Sequence, residues 1–480
     1  MVGITRYAAY VPWCRIQRMN IYSAMGWLNP ASLLPGEKAV ANYDEDSLSI
    51  AANAAFLCGK DVALEKIDGV YFATTTAPFK ERQNAGIIAA SLDLRPDVRS
   101  SDFTDSLKAG TGALLAACDA VQAGSAKSIM VASGDCRIGK PSGYQEEMYG
   151  DCAAAMLVGD TGVIASIEGS YSLTHDFADH WRASGDIFNR TWEDRWIRDE
   201  GYVKHLPQVL SGIMKKYNLQ ASDITKVIFP CMYVAAHARI AKDLGFTPDQ
   251  VQDHMFAQIG NAGAAYPLVL LAAALETAKP GDKIIVASYG NGCDALLLQV
   301  TDEITKVTPA KTIASQLAQK RDLTYERFLV CTDTFAIDTG GRGDEIPSSA
   351  MSALWRHRRG VHGLVGSKCT KCGTPQYPVQ RICANPHCGA VDEMEDYCFA
   401  DKKAAVFTYT GDVLAFSYNP PSVYGILDYD GGGRVWFDFT DCELEQVSVG
   451  MAVEMSFRRK YRDVGRGVSG YFWKAVPVRQ

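Results

Sequence analysis

Two short cysteine pairs are the residues of this chain whose spacing points most directly to chemistry: Cys369-Thr-Lys-Cys372 and Cys383-Ala-Asn-Pro-His-Cys388. A glycine follows each pair, Gly373 and Gly389, and lets the backbone turn tightly. Two such pairs with ten residues between them suit a tetrahedral zinc site in which each knuckle of a ribbon supplies one pair. Four thiolates leave no open coordination position, so the expected role is structural. His387 lies inside the second knuckle and could replace a cysteine, but four sulfurs already complete a set. Two disulfides or four unrelated buried thiols are the alternatives. Met1-Val-Gly-Ile-Thr-Arg6 opens on a strand-like run, without a signal segment, and no 18-residue apolar stretch occurs. The expected setting is therefore cytoplasmic, where disulfides are disfavoured. The other ten cysteines, such as Cys58, Cys118 and Cys152, sit singly in apolar segments, as core thiols do.

The cluster stands at a change of pattern. At 480 residues the chain exceeds one core, and two or three domains are expected. Over the first 300 residues, strand-like runs (Gly69–Ala73, Ser128–Ser133, Lys226–Phe229, Lys283–Ser288) alternate with Ala-rich helical stretches. The helices are Ser47 to Cys58, Gly110 to Gly124, Leu206 to Tyr217, Val234 to Leu244 and Ala262 to Ala278, and their small residues predict that they are buried. Such alternation predicts covered sheets with right-handed crossovers. Similar strand ends near Ala132-Ser-Gly-Asp135 and Ala287-Ser-Tyr-Gly-Asn-Gly292 suggest two related halves, 1–165 and 166–330. Residues 331–398 form a connection and the zinc ribbon, with a polar helix before it (Ile313 to Leu323), a surface loop at Asp338–Asp344 and a helix at Ser349–Arg359. After Cys398 the period changes to two: Ala405–Thr410, Val423–Asp428, Arg434–Phe439, Val453–Phe457 and Tyr471–Val476 predict a five-stranded OB-fold barrel over 399–480. Net charge is −7 and the only basic runs are Arg356–Arg359 and Arg458–Lys460, which argues against a nucleic-acid partner.

Residues 1 to about 330 resemble the thiolase superfamily, in the branch of 3-hydroxy-3-methylglutaryl-CoA synthase and 3-oxoacyl-carrier-protein synthase III. The matching stretches are Ala8-Ala-Tyr-Val-Pro12, Lys108-Ala-Gly-Thr-Gly112, Leu244-Gly-Phe246, Gln258-Ile-Gly-Asn-Ala262 and Ser288-Tyr-Gly-Asn-Gly292. Residues from about 350 onward resemble the zinc-ribbon plus OB-fold proteins that accompany thiolase-like enzymes. That match rests on the knuckles, Val423-Tyr-Gly-Ile-Leu-Asp428, Phe439-Thr-Asp-Cys442 and Val449–Arg459. The resemblance implies a five-layered, duplicated α-β-α-β-α body, C–C bond chemistry beside a CoA thioester, and a homodimer.

That family uses a cysteine at a helix N-terminus, a histidine, an asparagine and, in the synthase branch, a glutamate. Here the cysteine position is Leu107, with Ser106 before it and Lys108 after it; the histidine position is Pro230 and the glutamate position is Thr75. Only the asparagine is kept, as Asn261. Leucine cannot be acylated, and the joint loss implies altered chemistry. The candidate catalytic residues are Asn261 and Asn291 as amide donors to an oxyanion, Cys231 as a relocated nucleophile or acid–base group, His237, and Tyr233 as a hydroxyl donor. Each has a structural alternative: Asn291 a turn residue, Cys231 a core thiol, His237 a surface contact, Tyr233 packing; Cys293 is read as packing only. Trp181, Trp192 and Trp196, with His175, Phe177 and His180, form an aromatic stretch that would stack an aromatic acyl group or serve as a lid or dimer contact. The leading expectation is an enzyme acting on a 3-oxoacyl- or 3-hydroxyacyl-CoA, with coenzyme A as substrate or acyl carrier and zinc as a structural ion. The alternative is a non-catalytic partner that docks a thiolase.

Overall fold

The structure, a computed structural model, describes residues 1–30, 33–334, 336–343 and 348–479. It forms two compact units. One holds Met1–Ala41, Asp46–Ile88 and Pro96–Thr332; the other holds Asn42–Glu45, Ala89–Arg95 and Asp333–Gln480.

The first unit is built on one nine-stranded sheet. Its strands are β1 (Gly3–Tyr10), β2 (Gly69–Ala73), β3 (Arg99–Phe103), β4 (Ser128–Asp135), β5 (Cys152–Gly159), β6 (Ala165–Thr174), β7 (Lys226–Ile228), β8 (Lys283–Tyr289) and β9 (Gly292–Val300), in the spatial order β7-β8-β9-β6-β1-β5-β4-β2-β3. The order repeats with the same sense on either side of the β1/β6 join. β2 runs parallel to β4, which is antiparallel to β5, which is antiparallel to β1; β7, β8, β9 and β6 repeat that series. β1 and β6 pair antiparallel at Gly3 and Ile4.

Five helices cover this sheet. α1 (Ser47–Cys58) lies on β1, β4 and β5; its start is fixed by a capping box in which Asp46 and Ser49 each bond the other's backbone N–H. α2 (Ala109–Gln122) touches β4, β5 and β9, and α5 (Tyr266–Leu275) touches β1, β5, β7 and β8, so these two helices fill a layer between the half-sheets. α3 (Val203–Lys216) packs on β6, β8 and β9 with α4 (Val234–Asp243) beside it. The result is a five-layered α-β-α-β-α arrangement. α1, α2 and α5 are largely buried, as their small and apolar residues predict. α3 and α4 differ from that expectation: Lys204, Ser211 and Lys215 on α3, and Arg239 and Lys242 on α4, face solvent. They form an outer layer, which needs one apolar stripe only.

Two further expectations are shortened. The helix at 313 ends at Ala318, because Arg321 and Leu323 donate backbone hydrogen bonds to Trp13 and Arg15 and join a sheet edge instead. The helix over 349–359 is broken at His357 into Met351–Arg356 and Arg358–Gly363. In the loop expected at 338–344, Gly340–Gly343 makes one helical turn, while Asp344 lies outside the described residues.

The second unit carries two small antiparallel sheets. The ribbon is β10 (Val365–Cys369) between β11 (Pro375–Gln376) and β12 (Met394–Cys398). The barrel is β13 (Ala404–Asp412), β14 (Ser422–Tyr429), β15 (Arg434–Asp438), β16 (Ala452–Asp463) and β17 (Val468–Pro477), in the order β15-β14-β13-β16-β17. Along β14, buried residues alternate with partly exposed ones, the period-two signature of the sequence. Phe439 bridges to Ala475, which closes the five strands on each other.

Candidate active site and metal centre

The four knuckle cysteines converge. Their sulfurs all lie within 4.8 Å of one another, with Cys369–Cys388 at 3.8 Å and Cys372–Cys383 at 3.4 Å. A tetrahedral zinc with about 2.3 Å bonds sets its sulfurs about 3.8 Å apart, so the donor set fits that ion. Disulfides are excluded at these separations. Gly373 and Gly389 have φ of 75° and 64°, the left-handed turn that each knuckle needs. His387 is exposed and stands outside the sulfur cluster.

In the body, β3 leads through Asp105 (φ 71°) to Ser106, Leu107 and Lys108 at the start of α2. Leu107 abuts Gly290 on the β8–β9 turn: a Cβ at 290 would lie 2.8 Å from the Leu107 nitrogen and 2.9 Å from its Cβ. Only glycine allows this approach. Ser106 Oγ donates to the Gly290 carbonyl (2.8 Å), Lys108 pairs with Asp294 (3.2 Å), and Thr111 bonds Ser288 (2.7 Å). The helix start thus presents an aliphatic side chain, and its polar neighbours are committed to one another.

Thr75 gives its backbone N–H and its hydroxyl to Asp135, at 2.7 and 2.9 Å. Asp135 is fully buried and also accepts from Thr74, Thr76 and the Ala264 nitrogen, so five donors use up its lone pairs. Asn261 is buried; its side-chain oxygen accepts from the Gly263 nitrogen (3.0 Å) and its backbone bridges to Tyr149. Asn291 is exposed in the left-handed region (φ 52°) and its carbonyl accepts from His175, which is turn behaviour.

Cys231 is fully buried among Met148, Tyr149 and Phe256, and burial pushes its thiol up to about 12. A thiol so shifted holds its proton at neutral pH. Cys293 is buried in the α3/α4 core. His237 stacks on Phe229 (4.0 Å) with Nε2 at 3.2 Å from the Phe229 carbonyl, and burial lowers its pKa to about 4. Tyr233 donates to Asp194 (2.8 Å), and burial followed by that carboxylate raises its pKa strongly.

A second set of groups has no local sequence signal. Arg137, Tyr149, Asp179, Tyr289 and His205 are each under 9 % exposed. The Arg137 guanidinium nitrogens, both tyrosine hydroxyls, Asp179 Oδ2, His205 Nδ1 and His175 Nε2 are buried and none makes a well-aligned hydrogen bond of 3.5 Å or less among the described residues, although Arg137 lies close enough to Tyr149, and Asp179 to Tyr289, for side-chain hydrogen bonding to act on their protonation. These groups adjoin. Arg137 lies over the Tyr149 ring at 3.8 Å, His175 stacks on His205 at 4.2 Å, and His205 lies 6.3 Å from Tyr289. The Asp179 charge is felt by Tyr149, His205 and Tyr289. Burial, then His175, lowers the His205 pKa and keeps it neutral. Asp179 is held below the usual carboxylate range by His180, whose Nδ1 is 3.0 Å away, against the opposing effect of burial. Within the aromatic stretch, Phe177 stacks on Trp196 (4.2 Å) and meets His205 edge-on (5.5 Å), and all three tryptophans, Trp181, Trp192 and Trp196, are exposed. The stretch was legible for its rings, whereas its buried carboxylate, Asp179, gave no signal of its own.

Comparison with known proteins sets this geometry in a family. A hydroxymethylglutaryl-CoA synthase of Methanopyrus kandleri is 30% identical over 328 residues, covering 67% of this chain and 93% of that protein. The chain belongs to the hydroxymethylglutaryl-CoA synthase family. The synthase of Pyrococcus furiosus is 33% identical over 310 residues, 63% of this chain and 87% of that protein. Residues 214–300 match the C-terminal part of 3-oxoacyl-[acyl-carrier-protein] synthase III, 356–395 the ChsH2 rubredoxin-like zinc ribbon, and 399–458 the ChsH2 C-terminal OB-fold. In fold the chain resembles a crystal structure of HMG-CoA synthase complexed with CoA (TM-score 0.62, 18% identity, 73% of this chain and 94% of that one). It also resembles 3-oxoacyl-[acyl-carrier-protein] synthase III from Aquifex aeolicus (TM-score 0.57, 19% identity, 62% and 100%). The body is that of an acyl-CoA condensing enzyme of the thiolase superfamily, and this hydroxymethylglutaryl-CoA synthase family member carries a zinc ribbon and an OB-like domain later in its sequence. Among the described residues no helix is long and apolar enough to cross a membrane.

Proposed function

We propose that the chain makes or breaks a C–C bond in a 3-oxoacyl- or 3-hydroxyacyl-CoA without forming an acyl-cysteine. The observation that carries this reading is Leu107 at the start of α2, packed on Gly290, in a body of the condensing-enzyme family. Burial also pushes the thiols of Cys118, Cys152 and Cys231 up to about 12, so none of them is a ready substitute.

Aldol-type cleavage needs no enzyme nucleophile. A base takes the proton of the 3-hydroxyl, the C2–C3 bond breaks, and its electrons pass into the thioester enolate, which is then protonated at C2. The site must supply the base and donors to the enolate oxygen. His205, kept neutral, suits the first task. The Tyr149 and Tyr289 hydroxyls and the Asn261 amide, whose oxygen is fixed by Gly263, suit the second. Claisen-type cleavage would in addition need an attacking water or CoA thiol. The zinc, held by Cys369, Cys372, Cys383 and Cys388, has a structural role in this reading.

The second reading is a partner that docks a thiolase, as a homodimer or in a mixed assembly; the joint replacement of the family's cysteine, histidine and glutamate by Leu107, Pro230 and Thr75 favours it. Incubating the purified chain alone with 3-oxoacyl- and 3-hydroxyacyl-CoA panels, with and without free CoA, separates the two. Turnover by the lone chain, with no acyl adduct in its intact mass, is the expected result. Turnover only after a thiolase is added would support the partner, and a trapped acyl-cysteine would overturn the mechanism.

A further inference from the structure

Two histidines of the body meet face to face. His175 follows β6 and His205 lies at the start of α3; their rings are 4.2 Å apart and 9° from parallel. Neither His175 Nε2 nor His205 Nδ1, both buried, makes a well-aligned hydrogen bond among the described residues. A π-helical turn over Ile197–Tyr202 runs directly into α3, a rare form that concentrates at functional sites. It sets Gly201 against Tyr289: a Cβ at 201 would lie 2.4 Å from the tyrosine oxygen, so the approach needs glycine. His205 follows on the same side and faces Tyr289, with ring centres 6.3 Å apart. His175 donates its backbone N–H to the Asn291 carbonyl (3.2 Å). Both histidines thus stand at the β8–β9 turn on which Leu107 packs.

Two imidazolium rings so close repel, and one protonated ring disfavours a proton on its neighbour by about tenfold or more. Burial, then His175, acts against a proton on His205; Lys204 on the same helix opposes one too, and Asp179, paired with His180 at 3.0 Å, favours one. Phe177, edge-on, and Tyr289 face His205 as uncharged rings, and Arg137 with Tyr149 joins the cluster through Asp179. His175 is only half-buried, whereas His205 is buried, so the first proton belongs on His175. Resting on the proposed acyl-CoA reading, we infer that His175 gates the base: a proton on His175 bars His205 from taking the proton of the 3-hydroxyl, and cleavage proceeds only while both rings are neutral. In that state His205 takes the hydroxyl proton, the C2–C3 electron pair passes into the enolate, and the proton is returned at C2. The pair leaves the cycle neutral, as it entered.

The test is an NMR titration of the full-length, zinc-loaded chain carrying isotope-labelled histidine, beside a pH–rate profile on the 3-hydroxyacyl-CoA of the panel that it turns over fastest. His175→Phe keeps the stack and removes the charge. In that variant His205 is expected to titrate about one pH unit higher than in the wild type, because no charged neighbour opposes its proton. The acid limb of kcat/KM is expected to move the other way, about half a pH unit or more lower, because the gating proton has no seat. A His205 titration that ignores the loss of His175, or an acid limb left in place, overturns the gate and leaves the acyl-CoA reading intact. No turnover of any panel thioester overturns both. Where His175→Phe does not fold, the wild-type curves decide: coupled rings give each resonance two steps, as the gate requires, and independent rings give one, which overturns it.

Discussion

Each unit of this molecule buries an arginine, and the two are treated in opposite ways. In the C-terminal unit Arg458, 1 % exposed, meets Asp44 (3.2 Å), Glu45 (2.9 Å) and Asp441, while Lys474 meets Asp44 (2.8 Å) and Thr440 and Asn42 bond the same carboxylates. In the body Arg137 has no such company. Charges that a chain satisfies with its own acids fix architecture, whereas Arg137 meets only the face and hydroxyl of Tyr149. The contrast separates a polar cluster that is neutralised by its own acids from one that is not.

The comparison can be broken most severely through the metal. Cys383→Ser, or chelation, should remove the zinc and unfold residues 365–398, since structural zinc supplies roughly 10 kcal/mol of apparent folding energy; metal content and hydrogen exchange across the ribbon check this, and the body should keep its protection. Next come the arginines themselves. Arg458→Met should destabilise the C-terminal unit by about 3–5 kcal/mol, because three acids lose a partner, whereas Arg137→Met should leave the ligand-free body unchanged or up to about 2 kcal/mol more stable. Denaturant unfolding measures both, and equal losses would erase the distinction.

Acid should separate the units by pH. His237 has a folded pKa of about 4 against 6.5 unfolded, so only the unfolded state is protonated between those values. Its contribution is complete above pH 6.5 and is lost as pH falls toward 4, by about 3 kcal/mol. Asp44 is lowered from 3.8 to about 2, its buried carboxylate held mainly by Lys474 and Arg458 against the cost of desolvation; its contribution is present above pH 3.8 and lost as pH falls toward 2. Unfolding midpoints followed against pH should show the body weakening first, and His237→Phe should flatten that first limb. The smallest effect belongs to Asn291→Gly: in an exposed left-handed turn it should alter stability by no more than a few tenths of a kcal/mol and turnover by less than about twofold. A loss of a hundredfold in turnover would make Asn291 a donor after all.

What could be read from the amino acids alone was what lies close together along the chain. The cysteine knuckles, the alternation of β14 and the Ala-rich helices α1, α2 and α5 each declare themselves within a dozen residues. The polar cluster does not, because Arg137, Tyr149, Asp179, His205 and Tyr289 come from five separate segments that only the fold assembles. The helix after Thr312 looked longer than it is, since nothing nearby announces that Arg321 and Leu323 will bond to Trp13 and Arg15 some three hundred residues earlier. Leu107 stands where the resemblance puts the family's cysteine; that it packs on the bare backbone of Gly290 could be seen only in the fold.

The four residues Asn42–Glu45 belong to the C-terminal unit although they are encoded near the start of the chain. Severing the polypeptide at residue 333 would therefore strand Arg458 and Lys474 on one fragment and Asp44 and Glu45 on the other. The ribbon and barrel therefore draw part of their buried polar cluster from the first tenth of the chain.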